Sequence, residues 1–181
     1  MKNKIKLLIL SFLMVLSCSF LKGQSLMQNI QARNFQKLDG LWQIIVDPME
    51  NGFYNHSWQP RKNGFFKDEK PKTPSSLVEY NFDAGEQLQV PGDWNTQLEK
   101  LYYYEGTVWY RKKFDHQATA GKRYYLYFEA VNYRAKVYLN GQYIGEHIGG
   151  FTPFQFEITD HLSAGNNTIV VKVDNKRDPD G

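Results

Sequence analysis

Phe128-Glu-Ala-Val-Asn-Tyr-Arg-Ala-Lys-Val-Tyr-Leu-Asn-Gly-Gln-Tyr-Ile-Gly-Glu-His-Ile-Gly-Gly-Phe-Thr-Pro-Phe-Gln-Phe-Glu-Ile158 is the stretch whose reading decides the fold. Ala135, Val137 and Leu139 alternate with Lys136, Tyr138 and Asn140, the period of a strand with one buried face. Asn140-Gly141 supplies the two residues that most readily take positive φ, as a type I′ hairpin turn requires. Gln142 to His147 returns as the partner strand, and Gly149-Gly150 breaks the ladder where a side chain is hard to place. Phe154, Phe156 and Ile158 then set large apolar groups on one face of a further strand, opposite Gln155 and Glu157. A hairpin with one apolar face does not stand alone in water, so a second sheet must cover it.

Upstream, the same period recurs. In Leu38 to Asp47, Trp42, Ile44 and Val46 share a face, and the strand ends at Asp47-Pro48. Leu77 to Phe82 and Gln87 to Val90 read as strands, the second running into the turn Pro91-Gly92. From Gly106 to Phe114, Val108, Tyr110 and Phe114 face one way and Trp109, Arg111 and Lys113 the other. In Arg123 to Val131, Leu126, Phe128 and Ala130 point inward, while Tyr125, Tyr127 and Glu129 point outward. Asp160 is placed to cap a short turn over His161 to Ala164, closed by Gly165. Thr168 to Asp174 is the last strand. Residues 49–75 are rich in Gly, Pro, Asn and Lys, with Phe53, Tyr54, Trp58, Phe65 and Phe66 interspersed, which gives a long aromatic-pinned surface excursion. Short strands with Gly, Pro and Asn turns, and no helical periodicity, give an all-β sandwich. The pattern alone leaves jelly roll and immunoglobulin-like sandwich both open.

The beginning of the chain has another character. Lys2, Lys4 and Lys6 precede an uncharged run from Leu7 to Leu21, which reads as a signal peptide over residues 1–23. A lead-in of residues 24–37 and a sandwich over 38–181 follow. Cys18, the only cysteine, offers an alternative as a lipidated residue. Export to the periplasm or the extracellular space is the expectation. Of the 22 Lys and Arg, four lie within residues 1–23, leaving 18 against 19 Asp and Glu, a net charge of −1. The formal +3 of the whole chain therefore gives no footprint for nucleic acid.

Several separate segments, taken in order, carry a resemblance. Leu38-x-Gly-x-Trp42, Val90-Pro-Gly-x-Trp-Asn95, Trp109-Tyr-Arg-x-x-Phe114, Phe128-Glu-Ala-Val131, Val137-Tyr-Leu-Asn-Gly141 and His147-x-Gly-Gly-Phe-Thr-Pro-Phe154 resemble the N-terminal sugar-binding domain of glycoside hydrolase family 2. That family includes β-galactosidases, β-glucuronidases and β-mannosidases. The resemblance implies a jelly-roll, galactose-binding-like sandwich that serves as an accessory domain of a larger glycosidase. Its partners would be a carbohydrate substrate and downstream domains of the same polypeptide, and the full-length enzymes often form homo-oligomers. The resembled enzymes are retaining and carry both reactive glutamates on a later (β/α)₈ barrel, so no catalytic residue is assigned within this chain. Their Asp-containing aromatic motif is not matched after Asp178-Pro-Asp-Gly181, and the expectation is a fragment of a longer glycosidase.

One site residue carries over. Asn132 follows the Phe-Glu-Ala-Val strand, where β-galactosidases of the family place an asparagine that reaches the sugar. An amide offers hydroxyls both a donor and an acceptor. A plain turn residue is the alternative. Trp94 reads as a plug at the sandwich end, and Tyr102, Tyr103 and Tyr104 as a surface for a neighbouring domain or a stacking platform. Glu105, Glu129, Glu146 and Glu157 have no evident partner in the sequence. The four histidines, 56, 116, 147 and 161, lack metal-ligand spacing, and Asp174, Asp178 and Asp180 lack the bidentate acid of a calcium loop. No metal or cofactor is expected. Two other readings remain, a free-standing carbohydrate-binding module and an interaction sandwich that binds no carbohydrate.

Overall fold

Thr107–His116 (β3) alternates along ten residues, and its inward side chains Val108 and Tyr110 are buried in the main core. In the computed structural model, which describes residues 26–50, 52 and 81–177, this strand is central to a six-stranded antiparallel sheet. Its companions are Gly40–Val46 (β1), Gln87–Val90 (β2), Arg134–Leu139 (β5), Gln142–Ile148 (β6) and Gly165–Asp174 (β8), in the order β2-β1-β3-β8-β5-β6. Tyr125–Phe128 (β4) and Phe154–Glu157 (β7) form a separate antiparallel pair. Leu126 and Phe154 from that pair share one core with Trp42, Ile44, Val108, Ala135, Val137, Leu139, Ile169, Val171 and Val173 of the large sheet. The result is an all-β, two-sheet sandwich whose one α-helical turn among the described residues is Trp94–Gln97 (α1). The chain divides into two units, Met1–Ala32 and Arg33–Gly181, and all of the strands belong to the second. In the first, the described residues contain the 3-10 turn Ile30–Ala32.

The central hairpin forms as its sequence requires. Asn140 and Gly141 take φ of 52° and 82°, the two positive values of a type I′ turn. The Asn140 side chain also ties the turn to β8, accepting from the Thr168 amide at 2.9 Å and donating to the His161 carbonyl at 2.9 Å. Pairing across β5 and β6 shifts between Val137 and Tyr138, so Val137 faces Gly145 while Tyr138 faces Tyr143. This bulge leaves Gly145 beside β7. A Cβ there would lie 2.4 Å from the Phe156 ring, so the glycine admits the ring that joins the two sheets.

The outer face of the large sheet differs from expectation. Trp109, Tyr138, Val170 and Ile45 alternate away from the main core, yet they form a second buried cluster with Phe82. Asp47, fully buried, accepts from Trp109 Nε1 at 2.9 Å and from the Gly52 amide at 3.0 Å. Arg111 is 1% exposed, with Gln43 and Asp83 at its guanidinium and the Phe82 ring 4.8 Å away. The middle of the large sheet is therefore buried on both faces, while its edge strand β6 is largely exposed.

Four local expectations are corrected. Phe82 begins a 3-10 turn, Phe82–Ala84, capped by Asn81, and is not the end of a strand. Ala130 is exposed, because β4 ends at Phe128 and the following residues leave the sheet. Asp160 caps nothing: the turn is Thr159–His161 with Ile158 at its N-cap, and the anchoring hydroxyl is that of Thr159, which accepts from the Tyr124 amide at 2.9 Å. β8 starts at Gly165, three residues early, because the buried Asn167 bonds Ser163, Gly165 and Asn140 and so fits a polar residue into the sheet. The proposed leader with Cys18, the aromatics from Phe53 to Phe66 together with His56, the stretch 77–80, and Asp178 and Asp180 lie outside the described residues.

Gly145→Ala is expected to cost about 1–3 kcal/mol of stability, the usual penalty for overpacking. Chemical denaturation of this variant beside Phe156→Leu and the double variant checks it. A double variant less destabilised than the sum of the single variants identifies the Gly145–Phe156 contact as the cause.

Candidate functional site

At one end of the sandwich, three segments meet around a cleft of about 590 Å³. Its walls are Asn95, Tyr102–Glu105, Asn132–Tyr133 and Asn175–Arg177. Each segment is fixed by bonds that its sequence supplies.

Asp93 caps α1 by accepting from the Asn95 amide at 2.9 Å. Trp94 is buried, stacks on Tyr110, and donates its indole N–H to the Tyr104 carbonyl at 3.3 Å. The Asn95 amide reaches the carbonyls of Leu101, Tyr102 and Tyr104 at 2.5, 3.2 and 3.2 Å. These bonds hold a turn from which Tyr102 and Tyr103 project, 60% and 90% exposed, with rings edge to face at 4.6 Å. Tyr104 turns inward and donates to the Thr107 carbonyl at 2.9 Å. Burial pushes its phenol up to about 12, and the charges of Asp47, Asp174 and Glu50 add to that effect. It therefore stays a neutral hydrogen-bond donor through the physiological range.

Gly106 and Asn175 clamp the ends of β3 and β8. The Gly106 amide donates to Asn175 Oδ1 at 2.8 Å, and the Gly106 carbonyl accepts from the Asn175 amide at 3.1 Å. Gly106 has φ of +154°, and a Cβ there would lie 2.7 Å from the Tyr104 hydroxyl. Arg177 pairs with Glu105 at 2.8 Å, so the carboxylate in the cleft wall has a cation beside it. Glu146 and Glu157 also have partners that the sequence did not disclose, Arg134 at 3.6 Å and Arg123 through a two-point contact. Arg123 holds the Glu157 carboxyl at about 2.

Asn132 lies on the third wall, exposed, in the loop after β4. The Tyr133 amide donates to the Asp174 carbonyl at 3.1 Å, and the Tyr133 carbonyl accepts from Gly149 at 2.9 Å. Gly150 sits against Asn132 so closely that a Cβ would fall 2.8 Å from Oδ1. The His-x-Gly-Gly-Phe-Thr-Pro-Phe segment is thereby explained. Its glycines receive the Asn132 loop, while His147 stacks on Phe154 at 4.2 Å and bonds Thr152 at 3.2 Å to shape the backbone. The side-chain nitrogen of Asn95 and the side-chain oxygen of Asn175 are bonded to backbone, whereas both polar atoms of the Asn132 side chain are open to the cleft.

The structure thus brings Asn132 together with Tyr102, Tyr103 and Tyr104. It places Trp94 behind them as a plug and keeps Glu129 outside the cleft wall. Sequence reasoning missed Asn95 and Asn175 as cleft-shaping residues. The Trp-Asn pair after Pro91-Gly92 was a signal for the first, and nothing local marked the second. Among the described residues, no group of three His, Cys, Asp or Glu side chains is arranged to hold a metal. The amides and phenols of the cleft suit hydroxyl groups, and Lys176 and Arg177 stand in its wall beside Glu105.

The chain is an all-β sandwich with such a cleft at its loop end, and comparison with known proteins gives its family. Residues 35–180 match the family described as "Glycosyl hydrolases family 2, sugar binding domain", and the chain belongs to that family. It is 46% identical over 119 residues to a β-galactosidase of Thermoanaerobacter pseudethanolicus, covering 61% of this chain and 16% of that one. A putative β-glucuronidase of Formosa agariphila is 41% identical over 100 residues, covering 52% of this chain and 12% of the relative. Among solved structures, a β-glucuronidase of Lactobacillus rhamnosus superposes with a TM-score of 0.62 at 32% identity, over 79% of this chain and 21% of that one. The chain thus spans about a fifth or less of the length of these relatives.

Asn95→Ala removes three bonds to the tyrosine turn and leaves their carbonyls without that partner. It is expected to cost about 1–3 kcal/mol. Amide exchange should quicken at residues 102–104 while β3 keeps its protection, and exchange measured by mass spectrometry tests this.

Proposed function

We propose that this chain works as the N-terminal accessory domain of an exported glycoside hydrolase of β-galactosidase or β-glucuronidase type, in which Asn132 contacts the bound sugar. The sandwich is of the jelly-roll, galactose-binding-like kind. The likeness in fold to solved β-glucuronidases supports that assignment. Retaining hydrolysis uses two carboxyl groups about 5–5.5 Å apart. In this reading another domain of the same polypeptide supplies them, and the sandwich contributes binding and orientation.

The observation that carries the proposal is the Asn132 amide, with donor and acceptor both open, in a cleft where Asn95 Nδ2 and Asn175 Oδ1 are already bonded to backbone. Tyr102 and Tyr103 serve the junction with the rest of the polypeptide. Their rings stand at 88°, so together they make no flat platform on which a sugar could stack, which disfavours a free-standing carbohydrate-binding module.

In the full-length enzyme, Asn132→Ala is expected to lower kcat/KM about three- to tenfold, the worth of one neutral hydrogen bond, with an unchanged thermal midpoint. Unaltered kinetics would remove Asn132 from the site. Cleavage of chromogenic glycosides by the 181-residue chain alone would overturn the accessory role itself. Export is tested separately: the intact mass of secreted protein should correspond to a chain starting at Gln24, with retention of Met1 counting against a cleaved leader and a lipid-bearing Cys18 favouring the lipoprotein alternative.

A further inference from the structure

The outer face of the large sheet carries a second, smaller pocket of about 120 Å³, lined by Glu50, Arg134, Lys136, Lys172 and Asp174. Its register is unusual. Lys136 of β5 stands directly opposite Lys172 of β8, on the same face of neighbouring antiparallel strands. Like charges at such positions repel and destabilise the pairing unless something between them compensates.

The acids nearby do not fully compensate. Glu146 is the β6 register partner of Lys136, but its carboxylate is taken by Arg134 at 3.6 Å. Glu50 is shared by Lys172 at 3.6 Å, Lys176 at 3.3 Å and the Thr107 hydroxyl at 2.9 Å. Asp174 accepts from the Lys176 amide at 2.9 Å. Lys172 is only 13% exposed, with its ammonium 6.0 Å from the Trp109 ring centre, so its position is set by packing. Among the described residues, Lys136 has no acidic side chain within ion-pair reach, although it is half-buried. The pocket therefore gathers two lysines at opposed register positions and Arg134 around Glu50 and Asp174, and among the described residues Lys136 is the cation without an acidic partner.

We propose that this pocket is an oxyanion site, occupied by a phosphate group that retains one proton, between Lys136 and Lys172. The lining selects the anion's chemistry. A fully deprotonated anion such as sulfate would meet the carboxylates of Glu50 and Asp174 with no hydrogen to offer them. A hydrogen phosphate gives its O–H to one carboxylate while its remaining oxygens accept from the ammonium groups. Glu50 is an acceptor for that proton at neutral pH. Burial alone would raise its carboxyl, but the Thr107 hydroxyl and the charges of Lys172 and Lys176 hold it below the ordinary carboxylate range. At about 120 Å³ the pocket accommodates one phosphoryl group, so a phosphomonoester would enter by its phosphate and leave its organic part outside. The site lies on the outer face of the sheet and stands independently of the sugar-site proposal.

Titration calorimetry of the 181-residue chain at pH 6, where about half of a phosphomonoester keeps its proton, and at constant ionic strength tests it, with inorganic phosphate, a hexose 6-phosphate and sulfate as separate probes. Expected are saturable one-to-one binding of phosphate, sulfate weaker by about tenfold, and a loss of about tenfold or more in Lys136→Gln that Lys136→Arg largely restores. The hexose phosphate binding as tightly as free phosphate would support a phosphoryl group on a larger ligand, and its failure would support free phosphate. Should Lys136→Gln not fold, amide shifts on phosphate addition to the unaltered chain must centre on residues 134–136 and 172–174. Absent saturation with phosphate, indistinguishable phosphate and sulfate, an unaffected Lys136→Gln, or shifts centred elsewhere would each overturn the site.

Discussion

Ten consecutive residue pairs between β3 and β8, from Thr107 with Asp174 to His116 with Gly165, are the constraint on which the rest depends. The ladder sends Val108, Tyr110, Ile169, Val171 and Val173 inward and Trp109, Arg111, Val170 and Lys172 outward. Each buried aliphatic or aromatic side chain contributes about 1.5–3 kcal/mol, and this one ladder feeds both apolar clusters. Its ends do different work. At one, Asn167 is bonded into the turn that precedes β8, and at the other, Gly106 and Asn175 close a two-point clamp beside the cleft. A slip of one residue would turn the inner row outward and separate that clamp.

How much of this was legible depends on how local the determining interactions are. Period-two alternation and the Asn140-Gly141 turn disclosed the central hairpin and the inner rows, because both signals lie within a few residues of chain. The second apolar cluster did not disclose itself. Arg111 reads as an exposed cation until Gln43, Asp83 and the Phe82 ring, 68, 28 and 29 positions away, close around it. Trp109 reads as the outward member of an alternating pair until Asp47 meets its indole N–H. A strand buried on both faces can still alternate when its second face is lined by amphipathic side chains, whose polar atoms find partners and whose bodies pack.

The site divides in the same way. Asn132 was singled out by resemblance and stands in the cleft wall, and the glycines before Phe151 were legible by their effect on the ladder. That these features form one contact, with Gly150 making room for the Asn132 side chain, follows only from the fold. Asn95 and Asn175 were opaque because an asparagine that satisfies distant carbonyls and amides looks, in a sequence, like any loop asparagine. The misplaced cap at Asp160 has a similar origin. A carboxylate ahead of a turn is a fair signal, but Thr159 already had the Tyr124 amide to satisfy, and the turn starts two residues earlier.

The cleft is built so that no functional group is asked to hold its own position. Asn132 is located through its neighbour: Tyr133 is bonded by its amide to the end of β8 and by its carbonyl to Gly149. The tyrosine turn is located by Asn95 and Trp94, and the β8 terminus by Asn175. Backbone bonds, with Asn95 Nδ2 and Asn175 Oδ1, therefore carry the cost of order before any ligand arrives. A charged side chain at the same place would have needed a counter-charge, as Glu105 has Arg177, and would have offered a hydroxyl less than a donor and acceptor together. The fold thus sets the position of the Asn132 amide, and the chemistry open at that position is a donor and an acceptor on one side chain.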